Sequence, residues 1–308
     1  MNSLRPIGLS GLIRRADNPE IIFELRPNLN AMFKLAEVKT NSQGLRDKEY
    51  SKSKPSGTFR IAFVGDSFTM PSGVKLEDAF HTIIEKRLNS LGTRKFEAIN
   101  FGVPGYTLRQ YAAVLENKVP EYNPDLVIIG FCPKNDKRIY KEKRYDGTFE
   151  PKAAIYPAFT RSYTWLTLQG GIRRLRRIFL GEERSRKTIS PPSESESRYI
   201  EGIFSRMKMF SARQNIPIVI VYLDYIQNKE YVEQLKQLAE RSGLLFADTS
   251  FAFHAGELES YKIFMSEYHP NAKANKVFSD VLLSYMQNKN LLIDKSTNLR
   301  QDQEPPHQ

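Results

Sequence analysis

The sequence predicts an α/β fold in which a five-stranded parallel sheet is covered on both faces by helices. Three observations lead there. Five short apolar runs recur along the chain, and each is apolar on both of its faces, as strands of a doubly covered sheet must be. Between them lie segments whose apolar residues return every three or four positions, the period of a helix. The single cysteine, Cys132, in 308 residues excludes an internal disulfide framework, so the 40% hydrophobic content has to support the fold by packing.

Taken in order, the first run is RIAFV (60–64). The segment after it, 76–92, places Leu76, Phe80, Ile83, Ile84, Leu88 and Leu91 on one helical face, with Gly92 positioned to end the helix. FEAINF (96–101) is the second strand. Thr107 and Gln110 then have the spacing of a capping box ahead of Tyr111 and Leu115, and Pro120 stops that helix. DLVIIGF (125–131), IPIVIVYL (216–223) and LLFAD (244–248) complete the strands. Further helices are predicted over 198–213, 229–241 and 270–286, the last with Pro270 in its first turn.

Three segments stand outside this alternation. Residues 1–57 are expected to form an extension packed on the main domain, 58–287, and their second half, TNSQGLRDKEYSKSKPSG, is polar and turn-rich. Residues 137–195 separate the third and fourth strands and concentrate basic residues. Insertions of that length are often lids or binding loops. The tail, 288–308, has the composition of a disordered segment. No repeat is evident. The first twenty residues hold no apolar run long enough for a signal peptide or a membrane helix, so a cytoplasmic location is expected. A net charge of +11 favours acidic partners without specifying chemistry.

The chemistry is carried by residues just beyond the strands. In an open parallel sheet, ligands gather at the carboxyl ends of the strands. Ser67 lies just past the first strand. Gly105, in NFGVPGYT (100–107), precedes the helix capped by Thr107. Asn135, in CPKND (132–136), comes after the third strand and offers a side-chain amide. His269, in SEYHPN (266–271), lies beyond the fifth. A hydroxyl, a base and two separated donors are the parts that acyl transfer needs.

These blocks, GDSFT, NFGVPGYT, KND and HPN, resemble the SGNH or GDSL-type hydrolase superfamily in their order and placement, over about residues 58–287. The resemblance implies a flavodoxin-like three-layer α/β/α sandwich and no cofactor or metal. It implies Ser67 as nucleophile and His269 as base, with an oxyanion hole built from the amides of Ser67 and Gly105 and the side chain of Asn135. Two positions depart from the family pattern. Pro133 stands where the third block commonly has glycine, and Ser266 stands where an aspartate commonly precedes the histidine by three. Glu267 is the nearest carboxylate and is the candidate acid; the other reading is a Ser–His dyad. Asp66 is expected to brace the turn around Ser67, and Asp136 to support the Asn135 loop. His81, His254 and Cys132 read as structural.

The stretch 165–179 puts Trp165, Leu168, Ile172, Leu175 and Phe179 at helical spacing with four arginines elsewhere, which fits a lid helix, a helix lying on an anionic membrane surface, or an arginine-lined groove for an acidic glycan. Dinucleotide and P-loop fingerprints, G-x-S-x-G and paired zinc-ligand histidines are all missing, and nucleic-acid binding would rest on charge alone. The expected activity is a serine-dependent ester hydrolase acting on a small-molecule or glycan ester and removing small acyl groups such as acetyl. Transfer to a sugar hydroxyl, or a degenerate glycan-binding domain, are the alternatives.

Overall fold

The computed structural model describes residues 7–136, 190–264 and 268–293. Most of the 137–195 insertion, the 165–179 stretch, Ser266, Glu267 and residues 294–308 lie outside the described residues.

Chain order begins with a short helix α1 (Leu9–Leu12) and strands β1 (Ile13–Arg15), β2 (Phe23–Leu25), β3 (Asn30–Phe33) and β4 (Ala36–Lys39). Next come β5 (Thr58–Gly65), α2 (Phe80–Ser90), β6 (Lys95–Asn100), α3 (Leu108–Asn117), β7 (Leu126–Phe131) and a single turn, α4 (Pro133–Asp136). After the insertion come α5 (Glu194–Gln214), β8 (Ile218–Tyr222), α6 (Lys229–Arg241), β9 (Leu245–Asp248) and α7 (Ala272–Asn288). The main sheet runs β6-β5-β7-β8-β9, and every neighbouring pair is parallel. Counted from β5, that is the 2-1-3-4-5 order of flavodoxin-like sheets, with its switch point at β5.

Burial on both faces explains the uninterrupted apolar strands. One face of the sheet packs α3, α5 and α6 through Tyr111, Leu115, Phe204, Met207 and Leu235. The other packs α2 and α7 through Phe80, Ile84, Leu88, Phe278 and Leu282. The capping box of α3 forms, with the Thr107 amide donating to Gln110 Oε1 at 3.1 Å. Three local expectations are corrected. Leu91, assigned to the apolar face of the first helix, is 59% exposed, because α2 ends at Ser90 and the face turns to solvent there. The helix predicted from residue 198 starts at Glu194, where Ser193 and Glu196 cap each other. Pro270 is outside its helix: it bridges to Lys262, and Asn271 is the cap, accepting from the Ala274 amide at 3.1 Å.

Side chains from residues 7–57 contribute to the apolar core on one face of the sheet. β1 and β2 pair, β3 and β4 form a hairpin, and Leu12, Phe23, Leu25, Phe33, Val38 and Tyr50 join the apolar layer of α3 and α5. Two buried arginines fasten this segment at opposite ends of β5. Arg60, fully buried in β5, pairs with Glu97 at 2.7 Å and donates to the carbonyls of Ser51, Lys52 and Tyr122. Arg46 is 1% exposed and donates to the carbonyls of Met70, Pro71 and Val74, just after Ser67, and to Glu37 in β4. Burial pushes its guanidinium down to about 10, still charged at neutral pH. Among the described residues, no helix is long and apolar enough to cross a membrane.

Replacing Arg46 with methionine would strand several buried carbonyls. At roughly 1–3 kcal/mol for each unsatisfied group, with partial relaxation, Arg46→Met is expected to destabilise the protein by about 3 kcal/mol or more in urea unfolding.

Candidate active site

Ser67 sits where β5 stops. Its turn is built by the residue before it: the Asp66 carbonyl accepts from the Met70 amide, and Asp66 Oδ1 accepts from the Phe68 amide at 2.8 Å. The turn can lie on the sheet because Gly65 and Gly130, register partners in β5 and β7, carry no side chains. A Cβ at either would fall 2.0 or 2.3 Å from Thr69 Oγ1. Ser67 itself is 7% exposed, and its amide meets no acceptor among the described residues.

His269 reaches it from 202 residues away. Its Nε2 is 2.8 Å from Ser67 Oγ. The histidine is held by its neighbours rather than by its own helix: the Ile263 amide donates to the His269 carbonyl at 3.0 Å, and the Phe68 ring lies 5.6 Å from the imidazole. Tyr268, just before it, is clamped at both ends. Its hydroxyl donates to Asp224, and its carbonyl accepts from the Tyr225 hydroxyl at 2.6 Å. Burial raises Asp224 to about 6 in spite of that donor.

The other expected residues divide. Asn135 is in the site: its side-chain amide donates to Asp66 Oδ2, so one carboxylate orients both the turn and the amide. Burial raises Asp66 above the usual carboxylate range, while the Phe68 and Asn135 donors oppose the shift. Pro133, the departure from the family pattern, costs little. It opens the helical turn α4, where a missing N–H is tolerated, and Asp136 closes that turn by accepting from the Cys132 amide at 2.6 Å. Gly105, beyond the end of β6, has φ +88, and its amide also has no acceptor among the described residues. Cys132 is a buried thiol whose pKa burial lifts well above normal. His81 is buried, contacts Asn100 Nδ2 at 3.2 Å, and is pushed down to about 3, so it is neutral.

One residue of this site has no precedent in the sequence motifs. Lys34, at the tip of the β3–β4 hairpin, places Nζ 2.9 Å from His269 Nδ1 and 3.3 Å from Nε2. No motif could have found it, since the tip reads Lys34-Leu35 with neither of the usual hairpin residues, glycine or asparagine.

A model of the GDSL-like lipase/acylhydrolase family matches residues 63–277, a span that holds Ser67, Gly105, Asn135 and His269. The chain belongs to this family. Accordingly it is a carboxylic ester hydrolase. No curated protein matches the sequence. Among solved structures, this GDSL-family chain is similar to an α/β-hydrolase enzyme from the metagenome of Lake Arreo, Spain, at 16% identity, with 77% of this chain and 97% of that one covered and a TM-score of 0.45. It is also similar to a two-domain esterase active on acetylated mannans, at 16% identity, covering 82% of this chain, 52% of that one, with a TM-score of 0.48. A third similarity is to an acetyl-xylooligosaccharide esterase from Geobacillus, at 16% identity, 77% and 95% coverage and a TM-score of 0.44.

The Tyr268–Asp224 clamp has a pH signature. Because the folded carboxyl is raised from 3.8 to about 6, its contribution to stability is fully present below pH 3.8 and is lost as pH rises through about 6. Tyr268→Phe removes a donor to the ionised form, so the loss should grow by about 1–3 kcal/mol and extend to higher pH. Asp224→Asn should flatten the profile over the same window, as read by urea unfolding at roughly pH 4 to 8.

Proposed function

We propose that Ser67 is the nucleophile and His269 the general base of a serine esterase that removes small acyl groups, acetyl foremost, from a carbohydrate or another small alcohol. The observation that carries this reading is the 2.8 Å contact between His269 Nε2 and Ser67 Oγ. It joins a hydroxyl and a base that lie on separate elements, in the geometry a proton transfer requires.

The steps are dictated by the groups present. His269 takes the Ser67 proton as Oγ adds to the ester carbonyl, and the carbonyl oxygen becomes an oxyanion. The amides of Ser67 and Gly105 have donors to spare for it, and Asn135 keeps a second N–H beyond the one given to Asp66. The imidazolium then returns its proton to the departing alkoxide, the alcohol leaves, and an acyl-Ser67 ester remains. Water, deprotonated by His269, cleaves that ester, releases the carboxylic acid and restores the serine. Ser67 is almost closed off from solvent, which favours a short acyl chain at this point.

Purified protein is expected to cleave para-nitrophenyl acetate and to be labelled at Ser67 by a serine-reactive phosphonate. Ser67→Ala and His269→Ala should each reduce kcat by at least about 10³-fold, and Asn135→Ala by about 10²-fold, the scale of one lost oxyanion donor. Undiminished turnover in Ser67→Ala would overturn the assignment.

A further inference from the structure

Asn100 ends β6 and is 1% exposed, and its side chain is bonded to two loops at once. Its Nδ2 donates to the Thr69 carbonyl at 2.9 Å, in the turn that carries Ser67, and its Oδ1 accepts from the Gly102 amide at 2.8 Å, in the loop that leads to Gly105. Its own backbone amide donates to Asp47 Oδ2 at 3.1 Å, so the main chain is fixed as well as the side chain. The two loops also press on each other directly. The Phe101 and Val103 amides donate to the carbonyls of Phe63 and Gly65 at 2.7 and 3.1 Å, which carries the β5–β6 pairing past the end of the strands. Gly102 leaves no room for a side chain: a Cβ there would lie 2.6 Å from the Met70 amide nitrogen and 2.9 Å from Asn100 Oδ1.

The orientation of this amide is determined by its partners. Reversed, it would set its oxygen against the Thr69 carbonyl and its NH₂ against the Gly102 N–H, two repulsions in place of two hydrogen bonds. The second hydrogen on Nδ2 has His81 Nδ1 as its acceptor at 3.2 Å. That ring is buried beside Phe63 and Phe80, and burial keeps it neutral, so one of its nitrogens is free of a proton and can accept.

We propose that Asn100 is a positioning residue for ester hydrolysis: by holding the Ser67 turn and the Gly105 loop at a fixed separation, it sets the spacing of the backbone donors that receive the oxyanion. The inference rests on the serine-esterase reading of Ser67, with the Ser67 and Gly105 amides as those donors. Asp66 and Asn135 hold the serine turn from the β7 side, and Asn100 holds it from the β6 side through Thr69, so the turn is anchored on both flanks. Donors aimed at an oxyanion act as the charge develops, which is in the transition state and not in the bound ester. Loosening them should therefore lower kcat and leave KM nearly unchanged.

The test is steady-state kinetics on para-nitrophenyl acetate, together with inhibition by an alkyl boronic acid, whose tetrahedral adduct on a serine puts an oxygen in the oxyanion position. Asn100→Ala removes both side-chain bonds and should lower kcat about 10²-fold, the scale of a group displaced by about 1 Å, with KM within about 3-fold of wild type. Boronate affinity should fall by a factor similar to that in kcat. Asn100→Asp keeps the shape and the acceptor for Gly102 but loses the donor to Thr69, and should show the same split at about 10-fold or more. Gly102→Ala, which wedges a methyl group against Met70 with Asn100 intact, should reproduce it. Leu282→Ala, in the core on the face of α2 and α7, lowers stability without touching either loop and should leave kcat per folded molecule unchanged. A folded Asn100→Ala with kcat within about 3-fold of wild type would overturn the inference. So would a loss carried by KM with boronate affinity kept, or an equal loss of kcat in Leu282→Ala. If Asn100→Ala fails to fold, Asn100→Asp and Gly102→Ala decide it by the same readouts. Wild-type cleavage and phosphonate labelling of Ser67, with kcat unmoved in these variants, would remove the Asn100 inference alone. Absence of both in the wild-type protein would remove the hydrolase reading with it.

Discussion

β5 is paired on both sides, with β6 through Phe63 and Asn100 and with β7 through Gly65 and Gly130, and the chain leaves it first toward one neighbour and later toward the other. A parallel strand with partners on both edges has its backbone groups satisfied along its length but not beyond its carboxyl end. The loops after β5, β6 and β7 must therefore meet in a crevice at that point. Asn135, joined through Asp66 to the turn that carries Ser67, is what the loop after β7 brings there. The close approach of the serine turn to the sheet, through Thr69 into the space left by Gly65 and Gly130, is set by the same register.

Two carboxylates then set the precision of the site from beneath. Asp66 accepts from the Phe68 amide and from Asn135, so the turn that carries the hydroxyl and the side chain that faces it share one anchor. Asp224 plays the corresponding part for the histidine loop through Tyr268. Both carboxyls are buried, and burial raises both, so each gains most from the donors aimed at it. A site assembled from separate loops needs such shared anchors, because a hydrogen bond of 2.8 Å between residues 202 apart tolerates little drift in either partner.

The segment before β5 has a larger part than its polar, turn-rich composition suggests. Through Arg46 it supports the backbone after Ser67, through Arg60 it is held to the opposite end of the strand, and through Lys34 it enters the site. Its burial in the layer of α3 and α5 makes these contacts part of the folding unit. An arginine that satisfies backbone carbonyls can be buried at tolerable cost, since each donor replaces a water that the loop would otherwise require.

The sheet, its strands and most of its helices were legible in the sequence, because periodicity and burial are local properties of the chain. The positions of Ser67, Asn135 and His269 were legible too: the family blocks fall at strand ends, where the topology makes them converge. The small departures were legible only in part. Pro133 looks disruptive until α4 shows it opening a helical turn, and Pro270 looks like a helix start until Asn271 is seen to cap. Arg46 and Lys34 had no local signal, since their meaning lies in carbonyls and a ring far away in the chain. A run of residues determines what a strand or helix will be; which distant backbone a lone arginine satisfies, and which imidazole a hairpin lysine meets, is decided only when packing brings the segments together.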